Sequence, residues 1–566
     1  MRTVRNRKGR KHLGSHTLRG LRLSLPAAGG LVLASVPGAH AFQLYNGAAS
    51  GNNLIVNLDI TTSYSGLLRA HSPSALLTSG VTNANGNDGD ANFRSGIVGN
   101  TFSILPVLDI KNNNFGIHIS GEYFVNTVYL GTNQNNQAAT VNPVLAKNTN
   151  FASETRQANG HTGQLLDAFV YDSWDFGNQE FSIKAGQQTL FWGQSLFYGT
   201  NGISGGQAPI DAISAQNLVN PQTQQIFLPV GQIVATYKPN DTYTIQGYYQ
   251  YEWLPYNFTG VGSYFDTQDV IGPGSSRIIG VAGTTMTNGY YLYQTKALTP
   301  PSQNGQFGIS VQAQYGNYDL GLFALRYDSK TPTVYETIGP FNLNNPTGAS
   351  IGTYKEVYPR DIGLYGTSLS TTIGAANVAG ELSGRTNMPL VGSAAPTIYG
   401  VGNQGNASND PLYPVGDTMT GLASFIYGSP GLSWDPGGVT ALGEVEYVQV
   451  LKTTANSAAL APGRSAAASA FDVEVEPTYF GVLPNLELQF PISISYNFAG
   501  NSQMDTTMNH GTGSYSIGVT ATYRSTWDAS LSYVGYYGKV GTNETAPNVQ
   551  GNADRAYIGL NLQHTF

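Results

Sequence analysis

No cysteine occurs anywhere in this chain. That excludes disulfides, thiol nucleophiles and every Cys-based metal site. Charge is also scarce: Asp, Glu, Lys and Arg make up 11% of the residues, against about 25% in an ordinary soluble domain. A large soluble protein needs surface charge, so the deficit points to a surrounding other than water for part of the surface. Beyond residue 41 no run of eighteen apolar residues occurs, which argues against a membrane-spanning helix. Histidine is sparse there too. His71, His118, His161, His510 and His564 stand apart, with no His-x-x-x-His metal spacing. Gly, Tyr, Asn, Gln, Ser and Thr fill the gap.

The start of the chain is different. Arg2, Arg5, Arg7, Lys8, Arg10, Lys11, Arg19 and Arg22 precede an apolar stretch from Leu23 to Val36, and Ala39-His40-Ala41 follows. This order predicts a secretory signal peptide over residues 1–41, cleaved after Ala41. The apolar stretch is shorter than the ~20 residues of a membrane anchor. Removing eight of the 27 basic residues and none of the 34 acidic ones leaves 19 − 34 = −15. So acidic a protein lacks the basic footprint that nucleic acid requires.

What remains is alternation. Phe307, Ile309, Val311, Ala313 and Tyr315 alternate with Gln306, Gly308, Ser310, Gln312 and Gln314. Tyr243, Ile245, Tyr249, Tyr251 and Trp253 alternate with Thr244, Gln246, Gln250 and Glu252. One face suits hydrocarbon and the other water, the signature of a transmembrane barrel strand. A soluble sandwich also alternates, but the connections here run short, long, short, long, the barrel rhythm. The expected fold is all-β: a transmembrane antiparallel β-barrel of about 18 strands. The strands fall near 54–69, 93–110, 115–130, 163–175, 180–191, 230–238, 242–253, 306–315, 318–328, 361–373, 378–385, 417–427, 438–450, 471–480, 486–496, 513–523, 528–538 and 554–566. Without 378–385 and 471–480, which have the weakest pattern, the number is 16. Residues 42–566 read as one barrel domain. Its last strand carries Ile558, Leu560, Leu562 and Phe566 on one face. Leu562 and Phe566 resemble the C-terminal signal that directs bacterial barrels to assembly. The expected location is the outer membrane of a Gram-negative bacterium. The expected partners are outer-membrane lipid, the barrel-assembly machinery and a small-molecule solute.

Several blocks resemble a proteobacterial outer-membrane, porin-like family known only as a domain of unknown function. They are Asn87–Phe93, Leu165–Val170, Ala185–Ser195 with its Trp192-Gly193-Gln194-Ser195, Tyr358–Ile362, Gly380–Arg385, Asn387–Leu390 and Asp554-Arg555. Members usually carry Arg at the position of Gln187 and Glu at that of Gln194, and a second acid where Ala556 stands. The resemblance implies an outer-membrane barrel and, by association, handling of hydrophobic or poorly soluble small molecules.

The third long connection, 192–229, is the candidate functional segment, too long for a structureless loop. It is expected either to fold into the lumen as a constriction or to pack over the barrel mouth. Asp211 is its only formal charge; Gln194, Asn201, Gln216 and Asn217 offer amides, and Phe191, Trp192, Phe197 and Tyr198 aromatic faces. These nine residues are the candidates for constriction and solute contact. A neutral, aromatic lining suits an uncharged, hydrophobic or amphipathic solute better than an ion, since ion filters use rings of charge. Arg326, Arg360, Glu381, Arg385 and Glu444 could add charge from elsewhere. The sequence thus supports a channel, with a surface receptor or adhesin as the alternative. No catalytic residue, metal ligand or cofactor is expected. His118 and Ser120 share a strand face but read as lumenal polar residues, and Asn85–Asp90 reads as a turn rather than a calcium loop.

Overall fold

The computed structural model describes residues 42–47, 51–300, 305–399, 405–429, 437–542 and 546–566. The expected signal peptide, 1–41, lies outside the described residues. An 18-strand antiparallel barrel closes on itself. Its strands are β1 Leu54–Arg69, β2 Ile97–Asn112, β3 Phe115–Asn126, β4 His161–Phe176, β5 Gln179–Gln188, β6 Val230–Lys238, β7 Tyr243–Gln250, β8 Gln306–Tyr315, β9 Tyr318–Tyr327, β10 Ile362–Ile373, β11 Ala376–Pro389, β12 Val415–Gly428, β13 Val439–Ala455, β14 Ala467–Leu483, β15 Leu486–Gln489 with Ile492–Ala499, β16 Gly513–Tyr523, β17 Trp527–Tyr537 and β18 Tyr557–Thr565. Both weakly patterned strands, β11 and β14, are present and long. In β15 the ladder breaks at Phe490-Pro491, since proline offers no N–H.

Each strand pairs with its sequence neighbour, and β1 closes the ring by pairing with β18, Tyr64 opposite Leu562. The residue alternation sets which face is which. On β8, Phe307 and Ile309 are 51% and 54% exposed on the exterior, whereas Ser310 between the faces of the next pair is 1% exposed inside. Tight turns join strands at the end where β1 begins. Gly316 and Asn113 sit there at φ 62° and 55°, the left-handed conformation that two-residue hairpins require. Phe42–Asn46 adds a short antiparallel strand on β1, with Phe42 opposite Leu58. It continues the line of β18. Phe566 N–H donates to Ile60 O at 3.0 Å, and the Phe42 and Phe566 rings stack at 6.4 Å.

The opposite end carries the nine long connections: L1 70–96, L2 127–160, L3 189–229, L4 251–305, L5 328–361, L6 390–414, L7 456–466, L8 500–512 and L9 538–556. One sequence expectation needs correction here. β7 ends at Gln250, so Trp253 leaves the exterior face. It is buried against Tyr358, ring centroids 4.9 Å apart. L4, L5 and L6 also pool strands into a second, five-stranded sheet: Thr397–Tyr399, Thr333–Asn342, Ala349–Val357, Tyr290–Gln294 and Arg277–Val281. Tyr335, Val357, Ile398 and Tyr413 pack beneath it. No single loop carries this core, which forms only when three loops meet.

Candidate functional site

L3 leaves β5 at Gln188 and turns inward, not over the mouth. Its first half binds lumen-facing side chains of the far wall. Glu381 on β11 accepts from the backbone N–H of Gln194 (2.9 Å) and of Ile203. One oxygen of Glu444 on β13 accepts from Ser195 Oγ (3.2 Å) and from the N–H groups of Leu196, Phe197 and Tyr198. Arg385 donates to the carbonyls of Asn201 and Gly202, both at 2.6 Å. Gly193 has φ 96°, and a Cβ there would lie 2.2 Å from Glu381 Oε2, so this contact admits only glycine. Trp192 packs on Tyr248 and Phe323 and donates from Nε1 to Gln246 at 2.6 Å. Lys330, just past β9, donates to Gly206 O. Burial pushes its ammonium down to about 7, against the pull of Asp328.

The second half crosses to the other walls. Asp211 caps the short helix Ala212–Asn217 by accepting from Ile213 and Ser214 N–H at 2.9 Å, and it also accepts from Gln164 on β4. Glu122 on β3 accepts from Ser214 Oγ and Gln225 Nε2. Val219 N–H donates to Ser65 Oγ on β1, and Asn220 Nδ2 to Ser530 Oγ on β17. Phe191 packs edge-on to Phe227 at 4.6 Å. L3 is thus tied to strands from β1 to β17.

Above L3 lies a cavity of about 300 Å³. Its floor is Phe197, Tyr198 and Gln216; Phe258 and Phe265 of L4, Met508 of L8 and Tyr536 enclose it. Its far side is the lumenal wall of β14–β16, Asp472, Ser495, Asn497 and Ser514. Of the nine candidates, Phe197, Tyr198 and Gln216 line this cavity. Phe191, Trp192, Gln194, Asn201, Asp211 and Asn217 make the contacts that seat the loop, Asn217 by accepting from Asn126 Nδ2. Leu562 and Phe566 lie on the barrel exterior.

The blocks that resemble a family meet in pairs. Trp192–Ser195 meets Gly380–Arg385 as described. Asp90 of the first block lies between Arg69 (3.1 Å) and Arg555 (3.0 Å) of the last, all nearly sealed from solvent. Gly89 lets L4 close over them, for its Cβ would stand 2.5 Å from Asp266 O. Asn85–Asp90 is a turn entering the short helix Asp88–Asn92. Asp88, Asp266 and Asp269 are buried together where L1 meets L4, beside Asn142 and Arg277. Burial raises all three carboxyls, Asp88 to about 7 and Asp266 to about 6; repulsion between the acids adds to it at Asp88 and Asp269, whereas hydrogen bonds, that with Asp269 included, hold Asp266 back. His118 binds Asp109 (2.7 Å) and stacks on Phe169, while Ser120 Oγ accepts from Asp167 N–H. Gln187 donates to Leu165 O.

The contributions of L4, L8 and L9 to the cavity escaped the sequence, since residues three hundred apart carry no shared pattern. The anchors left a trace, the acids and Arg385 at lumen-facing positions of strands otherwise poor in charge.

A family model described as "Protein of unknown function (DUF1302)" matches residues 22–566. No curated protein matches the chain. Among solved structures it is similar to a BenF-like porin from Pseudomonas fluorescens Pf-5, at 9% identity and TM-score 0.41, covering 91% of this chain and 98% of that one. OccAB1 of Acinetobacter baumannii is similar at 9% identity and TM-score 0.42, over 94% and 99%. OccK2 (OpdF) of Pseudomonas aeruginosa, solved with glucuronate, is similar at 9% identity and TM-score 0.38, over 90% and 97%.

Proposed function

Since the chain belongs to the DUF1302 family of proteins of unknown function, we propose from its own geometry that it is an outer-membrane channel for small molecules, not an enzyme. The observation that carries this is the L3 arrangement. A barrel of eighteen strands is wide enough for an aqueous lumen, and L3 narrows it without filling it, leaving the cavity above Phe197, Tyr198 and Gln216. The exterior supports the membrane location, since Phe102, Ile309, Leu322, Tyr365, Ile517 and Leu560 are exposed around the ring. Such a belt is stable against hydrocarbon and costly against water. In this reading L3 is the constriction and the solute is uncharged or amphipathic, because aromatic rings and amides floor the cavity and L3 has no cationic side chain.

The receptor or adhesin alternative draws support from the five-stranded canopy of L4–L6, but a pure scaffold has no use for an internal loop that leaves a cavity above it. The test is reconstitution of the folded protein in planar bilayers and liposomes. Stepwise conductance and swelling in a series of neutral sugars, amino acids and hydrophobic acids are expected. A silent bilayer would turn the reading to the scaffold.

A further inference from the structure

The lumen around L3 has walls of unequal charge. L3 itself, over 192–229, carries one formally charged side chain, Asp211, and that is spent on capping a helix. The wall it faces, β14–β18, contains no lysine or arginine. It presents hydroxyls, Ser493, Ser495, Ser514, Ser516 and Thr520, together with a column of acids on β14: Asp472, Glu474 and Glu476. Alternate residues of one strand share a face, so these three point into the lumen about 6.7 Å apart. β14 runs from the loop end to the tight-turn end. The column therefore begins at Asp472 in the cavity wall and descends through the barrel. Glu476 is 6% exposed, and its Oε2 meets no hydrogen-bond donor among the described residues. A buried carboxylate oxygen without a donor calls for a cation or a proton. The cavity above the column is walled by Phe197, Tyr198, Phe258, Phe265, Met508 and Tyr536, and aromatic faces attract organic ammonium ions.

We propose that the solutes of this channel are small organic ammonium ions with an apolar body, gathered in the aromatic cavity and passed down the Asp472–Glu474–Glu476 column. This rests on the channel reading above and narrows its solute class to cationic amphiphiles. The carboxylate spacing is shorter than the Debye length of about 10 Å at 0.1 M salt and longer than the about 3 Å at 1 M. The fields therefore merge into one acidic track in dilute salt, and concentrated salt weakens that track, though less than it would a row of exposed charges.

The test records the full-length protein in planar bilayers at alkaline pH in about 0.1 M salt. It compares benzyltrimethylammonium with benzenesulfonate, two aromatic bodies of opposite charge. A preference for the ammonium of roughly tenfold is expected, the scale of enrichment in a single-signed cleft. In about 1 M salt it should shrink. The D472N/E474Q/E476Q variant should lose it while running as a heat-modifiable, folded barrel. S493K, which sets an ammonium opposite Glu474, provides the same reading should the triple variant not assemble. Equal passage of the two ions, preference for the sulfonate, or a preference untouched in either folded variant would overturn the assignment while leaving the channel. Absence of any conductance would overturn both.

Discussion

Two glutamates decide where L3 rests. Glu444 is 2% exposed and gathers three backbone N–H groups and a hydroxyl on one oxygen; Glu381 holds two N–H groups more. A buried donor stripped of its acceptor costs about 1–3 kcal/mol. Glu444→Ala should therefore release the 195–198 turn from the wall rather than unfold the barrel. Single-channel recordings should show a larger, noisier conductance, with unchanged heat-modifiable mobility on gels. At the mouth, the buried Asp88, Asp266 and Asp269 have carboxyls raised by burial above the range near 4 of an unfolded chain. Between about 4 and about 7 the packed loops thus bind more protons than loosened ones, so their stability falls as pH rises through that window. Arg277 and Arg555 nearby temper the effect without reversing it. Protease cleavage within L4 should be slowest in mild acid and quicken toward neutral pH, and Asp269→Asn should flatten the profile.

At the scale of elements, β18 shows how a strand becomes a closure. It is bonded on both sides, to β17 and β1, and its terminal Phe566 covers the seam with Phe42. Deleting Phe566 should lower the amount of folded barrel in outer-membrane fractions several-fold while export continues, as read by heat-modifiable mobility against total periplasmic and membrane protein. Strands such as β8 and β18 were legible because period-two alternation is a local property and each has one face in water and one in hydrocarbon. β11 and β14 were fainter because their lumenal positions hold Glu381, Arg385, Asp472 and Glu474, and small residues such as Gly380, Gly384, Ala468 and Ala470 blur both faces. The inward turn of L3 left its mark only in length. The loop strands left none, since Thr397–Tyr399 and Tyr290–Gln294 become strands by pairing across loops, and the nine-residue candidate set mixed Phe197, Tyr198 and Gln216 with side chains that hold L3 in place.

For the molecule as a whole, L3 divides the lumen into two unlike halves. Against β6–β10 it makes a dry contact, Trp192 and Ile203 packed on Val234, Tyr248, Phe323, Leu325 and Leu364. Against β14–β17 the wall keeps small hydroxyls and carboxylates, and the cavity opens there. Apolar packing excludes water and fixes the loop, so in the proposed channel a solute would move along the hydroxyl-lined half. That asymmetry predicts which substitutions block. A bulky ring at Ser495 or Ser514, both in the cavity wall, should plug the path, and Ser495→Trp or Ser514→Trp should cut single-channel conductance to a small fraction of the parent. Ala313→Trp, on the exterior face of β8 among Val311 and Tyr315, should leave it unchanged. If the exterior variant instead reduced conductance as much as the cavity ones, the passage would not run between L3 and β14–β17, and the division of the lumen described here would have to be abandoned.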